Sequence, residues 1–484
     1  MWIYIKEHAW ELFITLNYVI AFFAAVTILL NNINPTKALS YLLLLVVFPF
    51  LGLVVYYFFG QEYRKNKIFR RKNILDQQNI KQWRKALDRH EKEFPLFTKD
   101  ALADKIRLVR LLQKNQDAPL TKHNHVEVLI NGEAKFPRLI EDIKGATATI
   151  HMEYYIIEDD ELGSKLIDLL CEKAKSGIKV KLSYDYVGSR ISRHSKQKMK
   201  KAGIIFRAFM PVYFPRFAGK LNYRNHRKII VIDGKVGYVG GMNIASRYVN
   251  NGSGLFWRDT HIRIEGEAVG SLQLHFLLNW DFVTDIDIKV DASLFPKHAV
   301  SKSTAVQIAA SGPDSDWANI MEAIFTAINV ADDYIYVATP YFIPNDEILT
   351  ALTTASRGGV EVKLIIPKDS DSWASKYASY SFVEELLASG VHVYLYEKGF
   401  IHAKVILVDG IFTTIGTANM DYRSFTTNFE INALIYDEEV AKSTFQSFQE
   451  DFRYCEELNL DSWQGRKFSQ KLKESFCRLW APLL

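Results

Sequence analysis

The sequence predicts an α/β protein in which two pseudo-symmetric αβα domains pack face to face behind an N-terminal transmembrane hairpin. Three observations predict this fold: two long apolar runs without charges near the N-terminus, an alternation of strand-like and helical stretches after them, and a second copy of that alternation. The boundaries we expect are 1–62 for the hairpin, 63–118 for a helical connector, and 119–300 and 301–484 for the two domains.

The composition is that of a globular chain with a large core. The 484 residues are 48% hydrophobic and 24% charged, with 13 Pro and 25 Gly, which excludes disordered, collagen-like and coiled-coil proteins. The three cysteines, Cys171, Cys455 and Cys477, stand far apart and form no CxxC pair. Neither a disulfide framework nor a cysteine-based zinc site therefore organises the fold.

The two apolar runs are long enough to cross a bilayer as helices. Residues 12–30 and 38–61 carry no charged side chain, and about 20 apolar residues span the hydrocarbon core. A cleaved signal peptide fits less well, because Glu7 and Glu11 precede the first run and no A-x-A-like site follows it. Buried core helices also fit less well, because the second run is hydrophobic on all sides.

The excess of positive charge is confined to one place. The net charge is +5, and segment 61–72 holds six Lys/Arg and one Glu, which leaves 54 basic and 54 acidic residues elsewhere. A nucleic-acid-binding protein usually spreads its basic charge over the binding domain, so we expect no nucleic-acid partner. A basic cluster beside a membrane span marks the cytoplasmic side and attracts anionic headgroups. We therefore expect both ends of the hairpin, and everything after residue 62, to be cytoplasmic.

The strand and helix pattern is an internal duplication. In the first copy a helix through SKLIDLLCEKAKSG separates the strands ATATIHMEYYII and IKVKLSYDYV. In the second copy a helix through EILTALTTASRGG separates DDYIYVATPYFI and VEVKLIIP. Each copy is the strand–helix–strand unit of an α/β domain.

One chemical motif occurs once in each copy. The pattern is H-x-K-x4-D, followed by G-x-x-N with the Asn 17 positions after the His. A lone His of this kind is usually a hydrogen-bonded structural residue, but unrelated surface residues do not recur in register, so the duplication indicates an active site. The two sets are His226, Lys228, Asp233, Gly240 and Asn243, and His402, Lys404, Asp409, Gly416 and Asn419.

This set of side chains suits a phosphodiester. Residues two apart on a strand face the same side, so we expect each His to project beside its Lys, and face-to-face halves to bring both pairs into one cleft. The lysines would stabilise the non-bridging oxygens, one His would attack phosphorus, and the other would act as acid and then base. The arrangement requires no metal ion and no other cofactor.

With these motifs the chain resembles the phospholipase D superfamily, named for its HKD motif, and within it the bacterial cardiolipin synthases. The resemblance covers nearly the whole chain and includes NYRNHRKIIVIDG, GGMN, EYYIIEDD, SYDYVGSR, ATPYFIP, GTANMDYRSFTTNFE and PFLGLVVYYFFGQ. It implies two phospholipase D-like domains and a multi-pass protein of the bacterial inner membrane. It also implies a phosphatidyltransferase that forms cardiolipin and glycerol from two molecules of phosphatidylglycerol through a phosphohistidine.

The resemblance also assigns residues to roles. It implies that Asp259 orients His402 and that Glu430 orients His226, and superfamily precedent favours His226 as the nucleophile. The supporting residues would be Asn243 and Asn419. The catalytic residues it implies are His226, Lys228, Asp233, His402, Lys404 and Asp409.

Several alternatives stay open at this stage. A phospholipase D-type hydrolase of membrane phospholipids would use the same residues with water as the acceptor, whereas the hairpin disfavours a nuclease and the two complete motifs disfavour a non-enzymatic scaffold. Acyl-chain preference, the acceptor and the oligomeric state are not predicted. The aromatic and basic segment 206–220 is equally compatible with a membrane contact and with packing. The C-terminal helix through Phe468, Leu472, Phe476 and Leu479, with Lys467, Lys471 and Lys473 alongside, is compatible with an interfacial helix. We expect it instead to dock on the second domain.

Overall fold

The computed structural model describes residues 8–30, 35–59, 105–116, 118–211, 223–252, 254–284, 291–315 and 317–481. The described residues 8–59 belong to one unit and those from 105 onward to another. Two predicted features lie wholly or partly outside the described residues. They are the whole basic cluster 61–72 and residues 212–220 of the aromatic and basic segment 206–220.

The N-terminal unit begins with one long apolar helix. Helix α1 (Ala9–Leu30) has 22 residues, which corresponds to about 33 Å at 1.5 Å per residue. Its length and hydropathy are sufficient to cross a membrane. This helix agrees with the first of the two predicted spans.

The second predicted span is divided in two. Helix α2 (Pro35–Val47) and helix α3 (Pro49–Phe59) have 13 and 11 residues, and Pro49 interrupts the helical hydrogen bonding between them. The rings of Tyr41 and Tyr56 lie 5.7 Å apart, so α3 folds back along α2 instead of continuing it. Each helix is about 17–20 Å long, which is shorter than the hydrocarbon core. The expected single second helix is therefore not what the structure contains.

The other unit holds both copies of the duplicated pattern. Its first half is preceded by a helix that the sequence places in the connector. In chain order the elements are α4 (Ile106–Gln116), β1 (Asn124–Ile130), α5 (Asn131–Gly145), β2 (Thr149–Tyr154), α6 (Glu161–Lys175), β3 (Lys179–Asp185), α7 (Arg193–Ala202), β4 (Ile205–Phe209), β5 (Lys228–Ile232), β6 (Val236–Gly240), β7 (Phe256–Arg258), β8 (Thr260–Gly266) and α8 (Ala268–Thr284).

The second half follows the same plan. Its elements are β9 (Ala305–Ser311), α9 (Asn319–Asn329), β10 (Tyr334–Ala338), β11 (Phe342–Ile343), α10 (Asp346–Arg357), β12 (Glu361–Pro367), α11 (Trp373–Tyr380), α12 (Val383–Ala388), β13 (His392–Tyr396), β14 (Gly399–Ile401), β15 (Val405–Val408), β16 (Phe412–Gly416), β17 (Met420–Asp421), α13 (Tyr422–Thr426), β18 (Glu430–Tyr436), α14 (Glu438–Phe452), β19 (Cys455–Glu457), α15 (Leu460–Gln464) and α16 (Phe468–Arg478).

Each half is built on a mixed sheet. The strand orders are β1-β8-β6-β5-β2-β3-β4 and β19-β13-β12-β10-β15-β16-β18-β9. In both sheets the strands joined by crossover helices are parallel, β2 with β3 and β10 with β12, and the motif strands β5 and β15 run antiparallel beside them. The predicted strand–helix–strand copies are thus confirmed as β2-α6-β3 and β10-α10-β12.

The two sheets share one hydrophobic core. Ile229 and Val231 of β5 pack in a cluster that also contains Val405 and Leu407 of β15, whereas the alternate residues of both strands pack under the outer helices. This is the alternation expected of strands that are buried on both faces. Burial of this shared face fixes which side chains of β5 and β15 point between the sheets.

Candidate active site

Two contacts between the halves position the histidines. Strand β14 pairs in parallel with β7, and Asn225 forms a parallel bridge with Phe429. As a result the backbone amide of His402 donates to the Arg258 carbonyl at 2.7 Å, and that of His226 donates to the Phe429 carbonyl at 2.9 Å. Each histidine is therefore held through its backbone by the opposite half.

The residue after each backbone acceptor is an acid. Asp259 follows Arg258, and its Oδ2 lies 2.7 Å from Nδ1 of His402. Glu430 follows Phe429, and its Oε1 lies 3.0 Å from Nδ1 of His226. The structure thus brings together the two cross-half pairs that the resemblance implies. In both rings Nδ1 faces the carboxylate, which leaves Nε2 for a substrate.

The two pairs differ in geometry. The Asp259–His402 contact is an aligned hydrogen bond, whereas neither carboxylate oxygen of Glu430 has an aligned hydrogen bond among the described residues. Nδ1 of His226 also lies 3.3 Å from the side-chain nitrogen of Asn428, and its ring lies 4.2 Å from the ring of Tyr155. The His226 ring is therefore shared between two polar partners, while His402 has one.

His402 is enclosed by aromatic rings. Their centroids lie 5.7–5.9 Å from the imidazole and belong to Trp257, Phe400 and Tyr248. Burial lowers the pKa of His402 to about 4, and the Lys404 ammonium lowers it as well, while Asp259 opposes both effects. The neutral imidazole, with its proton on Nδ1 toward Asp259, is therefore the resting form.

The two motif lysines are buried cations in the same site. Nζ of Lys228 donates to the His226 carbonyl at 2.7 Å, and Nζ of Lys404 donates to the His402 carbonyl at 2.5 Å. Burial lowers the pKa of Lys228 to about 8 and that of Lys404 to about 7, although Asp259 opposes the shift in both. The charge of Lys228 further lowers the pKa of Lys404, so the two motifs interact electrostatically. An anionic ligand would relieve the cost of burying both ammonium groups.

The histidines are not on the strands that the motif predicts. Strand β5 begins at Lys228 and β15 begins at Val405, so each His lies in the extended segment ahead of its strand. The reason is that the backbone amides of His226 and His402 donate to the opposite half and not to a neighbouring strand of their own sheet. The positions of the imidazoles therefore do not follow from the alternation of side chains along a strand.

The two asparagines lie beside the motifs with unequal partners. The side chain of Asn243 accepts from the Ile156 amide at 3.2 Å and donates to the Tyr248 hydroxyl at 2.8 Å. The side chain of Asn419 donates to Asp421 at 3.0 Å. Through Tyr248, Asn243 is linked to the aromatic enclosure of His402.

A glycine beside the first asparagine controls the position of Asp259. A Cβ added at Gly241 would lie 2.1 Å from Oδ1 of Asp259, so any side chain there would overlap with the carboxylate. The preceding Gly240 has φ +150°, and a Cβ there would lie 2.5 Å from Cα of His261. The GGMN sequence therefore lets the carboxylate reach across to His402.

The motif aspartates lie at the far end of the motif strands. Asp233 follows the last residue of β5, about 16 Å along the strand from Lys228 at 3.3 Å per residue. Its oxygens accept from the backbone amides of residues 147–149 at 2.7 Å, and Asp409 likewise accepts from the amides of residues 332–334 at 2.9–3.0 Å. The structure does not bring these two predicted catalytic residues to the histidines. Each ties the end of a motif strand to the start of the adjacent central strand, β2 or β10.

Lys135 was not predicted from the sequence. This lysine on α5 is fully buried, and its Nζ donates to the Tyr154 hydroxyl at 3.1 Å and to the Met242 carbonyl at 2.9 Å. Burial lowers its pKa well below the ordinary value, and Asp259 partly offsets the effect. A signal was present, because Lys135 stands with Phe136 and Leu139 on the apolar face of an amphipathic helix. Tyr155, whose ring lies 4.2 Å from that of His226, was also not singled out from the sequence.

Comparison with known proteins places this site in a family. Residues 139–264 and 324–452 match the family described as "Cardiolipin synthase, PLD-like domain", and residues 19–61 match "Phospholipase D-nuclease N-terminal". The chain is 40% identical to cardiolipin synthase 2 of Bacillus anthracis over 479 residues, which covers 96% of this chain and 90% of the relative. It is 39% identical to the cardiolipin synthase of Geobacillus sp. (strain WCH70) over 465 residues, which covers 96% and 92%.

A solved structure shares the fold. Phosphatidylserine synthase of Haemophilus influenzae Rd KW20 superposes with a TM-score of 0.59 at 14% identity, over 78% of this chain and 99% of that one. Fold and site together define an enzyme of the phospholipase D type. The chain belongs to the cardiolipin synthase family of phospholipase D-like proteins. The predicted family and enzyme class, a phosphatidyltransferase, are thereby confirmed.

Proposed function

We propose that the protein transfers the phosphatidyl group of one phosphatidylglycerol to a second phosphatidylglycerol, giving cardiolipin and glycerol. The observation that supports this most directly is the exchange of acids between the halves, Asp259 onto His402 and Glu430 onto His226. Two imidazoles whose Nε2 atoms have no hydrogen-bond partner among the described residues, beside two buried ammonium groups, suit an anionic phosphodiester that loses one alcohol and gains another.

In the first step, Nε2 of His226 attacks the phosphorus of the donor lipid. A P–N bond forms, the P–O bond to glycerol breaks, and His402 gives a proton to the departing oxygen. Glu430 stabilises the positive charge that develops on the His226 ring. Lys228 and Lys404 neutralise charge on the non-bridging oxygens.

In the second step the order is reversed. The glycerol hydroxyl of the second phosphatidylglycerol attacks phosphorus, and Nε2 of His402 accepts its proton. The P–N bond breaks, His226 is regenerated, and cardiolipin leaves. Asp259 holds the Nδ1 proton of His402 throughout, so that Nε2 is the atom that gains and loses the proton.

The acid form of His402 arises on substrate binding in this scheme. In the protein alone burial holds its pKa at about 4, so the ring is neutral at pH 7. A phosphodiester beside the ring adds a negative charge, which favours the imidazolium and raises the pKa. The same charge favours the ammonium form of Lys404, whose pKa of about 7 otherwise leaves it half deprotonated at neutral pH.

The aromatic enclosure of His402 favours transfer over hydrolysis. Trp257, Phe400 and Tyr248 surround the ring that must activate the acceptor. Apolar walls reduce the access of water to a reactive intermediate. The alternative, a phospholipase D-type hydrolase, uses the same residues at phosphorus and differs only in the acceptor.

The distinguishing experiment incubates the purified full-length protein with vesicles that contain radiolabelled phosphatidylglycerol as the only phospholipid. Cardiolipin and free glycerol in equal amounts are expected. Phosphatidic acid as the main product would replace the transferase with the hydrolase. His226→Ala and His402→Ala serve as controls, each expected to lose at least about 100-fold in rate, because such acid–base groups contribute about 10²–10⁴-fold.

The nucleophile can be assigned with an activated donor. Phosphatidyl-p-nitrophenol has a leaving group that needs no proton, so His402→Ala should still release one equivalent of nitrophenol and retain the phosphatidyl group on the protein. His226→Ala should release none. The opposite pattern would make His402 the nucleophile.

We further propose a multi-pass inner-membrane protein with its catalytic halves in the cytoplasm. Helix α1 supports one crossing. A second crossing would require residues 35–59 to extend beyond the folded-back arrangement of α2 and α3. Labelling of cysteines introduced before α1 and within 61–72 from each side of sealed vesicles tests this. Labelling of both from the cytoplasmic side supports two crossings, and labelling from opposite sides means one. The domain boundaries at 62, 118 and 300 are part of the same proposal.

A further inference from the structure

The C-terminal helix α16 presents its apolar face to the outside. Phe468, Leu472, Phe476 and Leu479 are 79%, 60%, 52% and 78% exposed, although the sequence analysis expected them to dock on the second half. Trp480 extends the same surface, with its ring 6.4 Å from that of Phe476. At about 100° per residue these five side chains occupy one arc of about 120° on the helix. They form a contiguous stripe, here called the apolar stripe.

Polar contacts hold the opposite face of the helix against the protein. Glu474 is 2% exposed and pairs with Arg466 at 2.8 Å. Cys477 is buried on the same side, and Arg478 donates to the Ser381 carbonyl at 3.0 Å. The orientation of α16 is therefore fixed by an ion pair and hydrogen bonds, so the exposure of the apolar stripe is a property of the docked helix.

The charged side chains of α16 that flank the apolar stripe are lysines. Lys473 borders it on one side, and Lys471 lies beyond its other edge, at about 60° from Phe468 around the helix. Arg478 lies farther round, at about 80°, and pairs with Glu385 of α12 at 3.5 Å. Glu474, the single acid of α16, is on the buried face. Trp373 of α11 is 55% exposed and contacts Tyr377, over whose ring Lys473 lies at 5.3 Å. The whole surface thus combines aromatic and aliphatic groups with cations.

We propose that the apolar stripe is a membrane-binding surface, which inserts into the interface of a bilayer that contains anionic lipids. An apolar stripe flanked by Lys and Arg, with Trp at its end, is the pattern of a helix that lies in the plane of the interface. Each cation near an anionic surface adds to the attraction. The surface contains none of the motif residues, and it is independent of which alcohol or water accepts the phosphatidyl group.

Lipid quenching of a probe on the full-length protein tests this proposal. Leu472→Cys and Phe476→Cys would each be labelled with nitrobenzoxadiazole, with Lys442→Cys on the exposed face of α14 as the matched control. Background labelling is low, because Cys171 and Cys477 are buried and burial raises the pKa of Cys455 to about 12. The labelled proteins would be reconstituted in vesicles of phosphatidylglycerol and phosphatidylcholine that contain brominated acyl chains.

The expected result is about a twofold loss of emission at residues 472 and 476, as for a helix buried about 5–10 Å in the interface, and little loss at residue 442. The surface variant with Phe468→Ser and Leu472→Ser, labelled at Phe476→Cys, should lose this quenching without a change in thermal unfolding. Equal quenching at all three positions, or none, would overturn the proposal.

Two further outcomes are decisive. A blue-shifted probe that brominated lipids do not quench, together with a disulfide between two Leu472→Cys chains, would identify a second copy of the protein as the partner instead. Unchanged quenching in vesicles of phosphatidylcholine alone would overturn the role of anionic lipid. None of these readouts requires catalytic activity, so their failure is distinguishable from failure of the proposed reaction.

Discussion

Nδ1 of His402 lies 2.7 Å from Oδ2 of Asp259, although 143 positions separate the two residues. The contact exists because β14 of the second half adds to β7 of the first, which places His402 beside the residue that follows β7. The pair of His226 and Glu430 arises in the same way, because the bridge between Asn225 of the first half and Phe429 of the second places His226 beside Glu430. Each imidazole thus receives its carboxylate from the other half, and neither half alone contains a complete His–carboxylate pair.

Asp259→Asn is expected to reduce kcat by about 10²–10⁴-fold, because an amide can donate to Nδ1 and stabilise the wrong tautomer of His402. The initial rate of cardiolipin formation measures this. Asp451→Asn is the matched control, since Asp451 pairs with Arg258 in the same interface without contacting His402. A similar loss of kcat in both variants would mean that Asp259 acts only through the stability of the interface.

Gly241→Ala is expected to displace Asp259, because the new methyl group would lie 2.1 Å from its Oδ1. Transfer should slow by about 10-fold or more while lipid binding changes little, since loss of an orienting partner affects mainly the chemical step. The measurement is kcat against KM on mixed micelles. Gly145→Ala is the control, because its Cβ would meet no atom within 4 Å. Equal kinetics in the two variants would contradict this role of Gly241.

The pH profile of kcat/KM should fall on the alkaline side. Burial lowers the pKa of Lys404 to about 7 and that of Lys228 to about 8, and the proposed mechanism requires their charged forms. Their charge is lost as the pH rises through these values, so kcat/KM, which already declines above the His402 pKa of about 4, should show a further descending limb near pH 7–8 and not near pH 10.5. In Lys404→Arg, if it retains activity, this limb should move to higher pH, because a guanidinium stays charged. A flat profile up to pH 10 would refute the assignment.

Lys105→Met is expected to lower the free energy of unfolding by roughly 1.5–3 kcal/mol, because it removes the charged hydrogen bond at 2.7 Å to the partly buried carboxylate of Asp409, which keeps its three backbone donors. Unfolding in denaturant, followed by tryptophan fluorescence, measures this. Lys302→Met removes an exposed pair with Glu439 at 3.0 Å and should cost no more than about 1 kcal/mol. Equal stabilities would mean that residues before 106 do not fasten the second half.

The stability of the protein should fall between pH 6.5 and pH 4. Burial lowers the pKa of His151 from 6.5 to about 4, so in this range the unfolded chain binds a proton that the folded chain does not. At 1.36 kcal/mol per pKa unit, the full effect is about 3 kcal/mol and is complete at about pH 4. His151→Gln should show a correspondingly smaller decline in unfolding midpoint over the same range. An unchanged pH dependence would show that other groups are responsible.

The sequence by itself determined the duplication, the strand–helix–strand copies and the identity of the two His/Lys sets, because burial patterns and repeated spacing are local properties of the chain. It did not determine that His226 and His402 precede their strands, or that Asp233 and Asp409 bind backbone amides at the far end of β5 and β15. It also did not determine the break at Pro49, Lys135 behind the site, or the outward face of α16.

Those features depended on tertiary structure for a physical reason. Apart from the break at Pro49, which is local, they result from contacts between different elements, such as the addition of β14 to β7 or the pairing of Arg466 with Glu474 on α16. The hydrophobic pattern predicts which residues favour burial. Whether the fold buries them depends on how each element docks, and an ion pair or an added strand from the other half sets that orientation. The resemblance implied that the His–carboxylate pairs are shared between halves, and the folded chain brings their atoms to 2.7 and 3.0 Å.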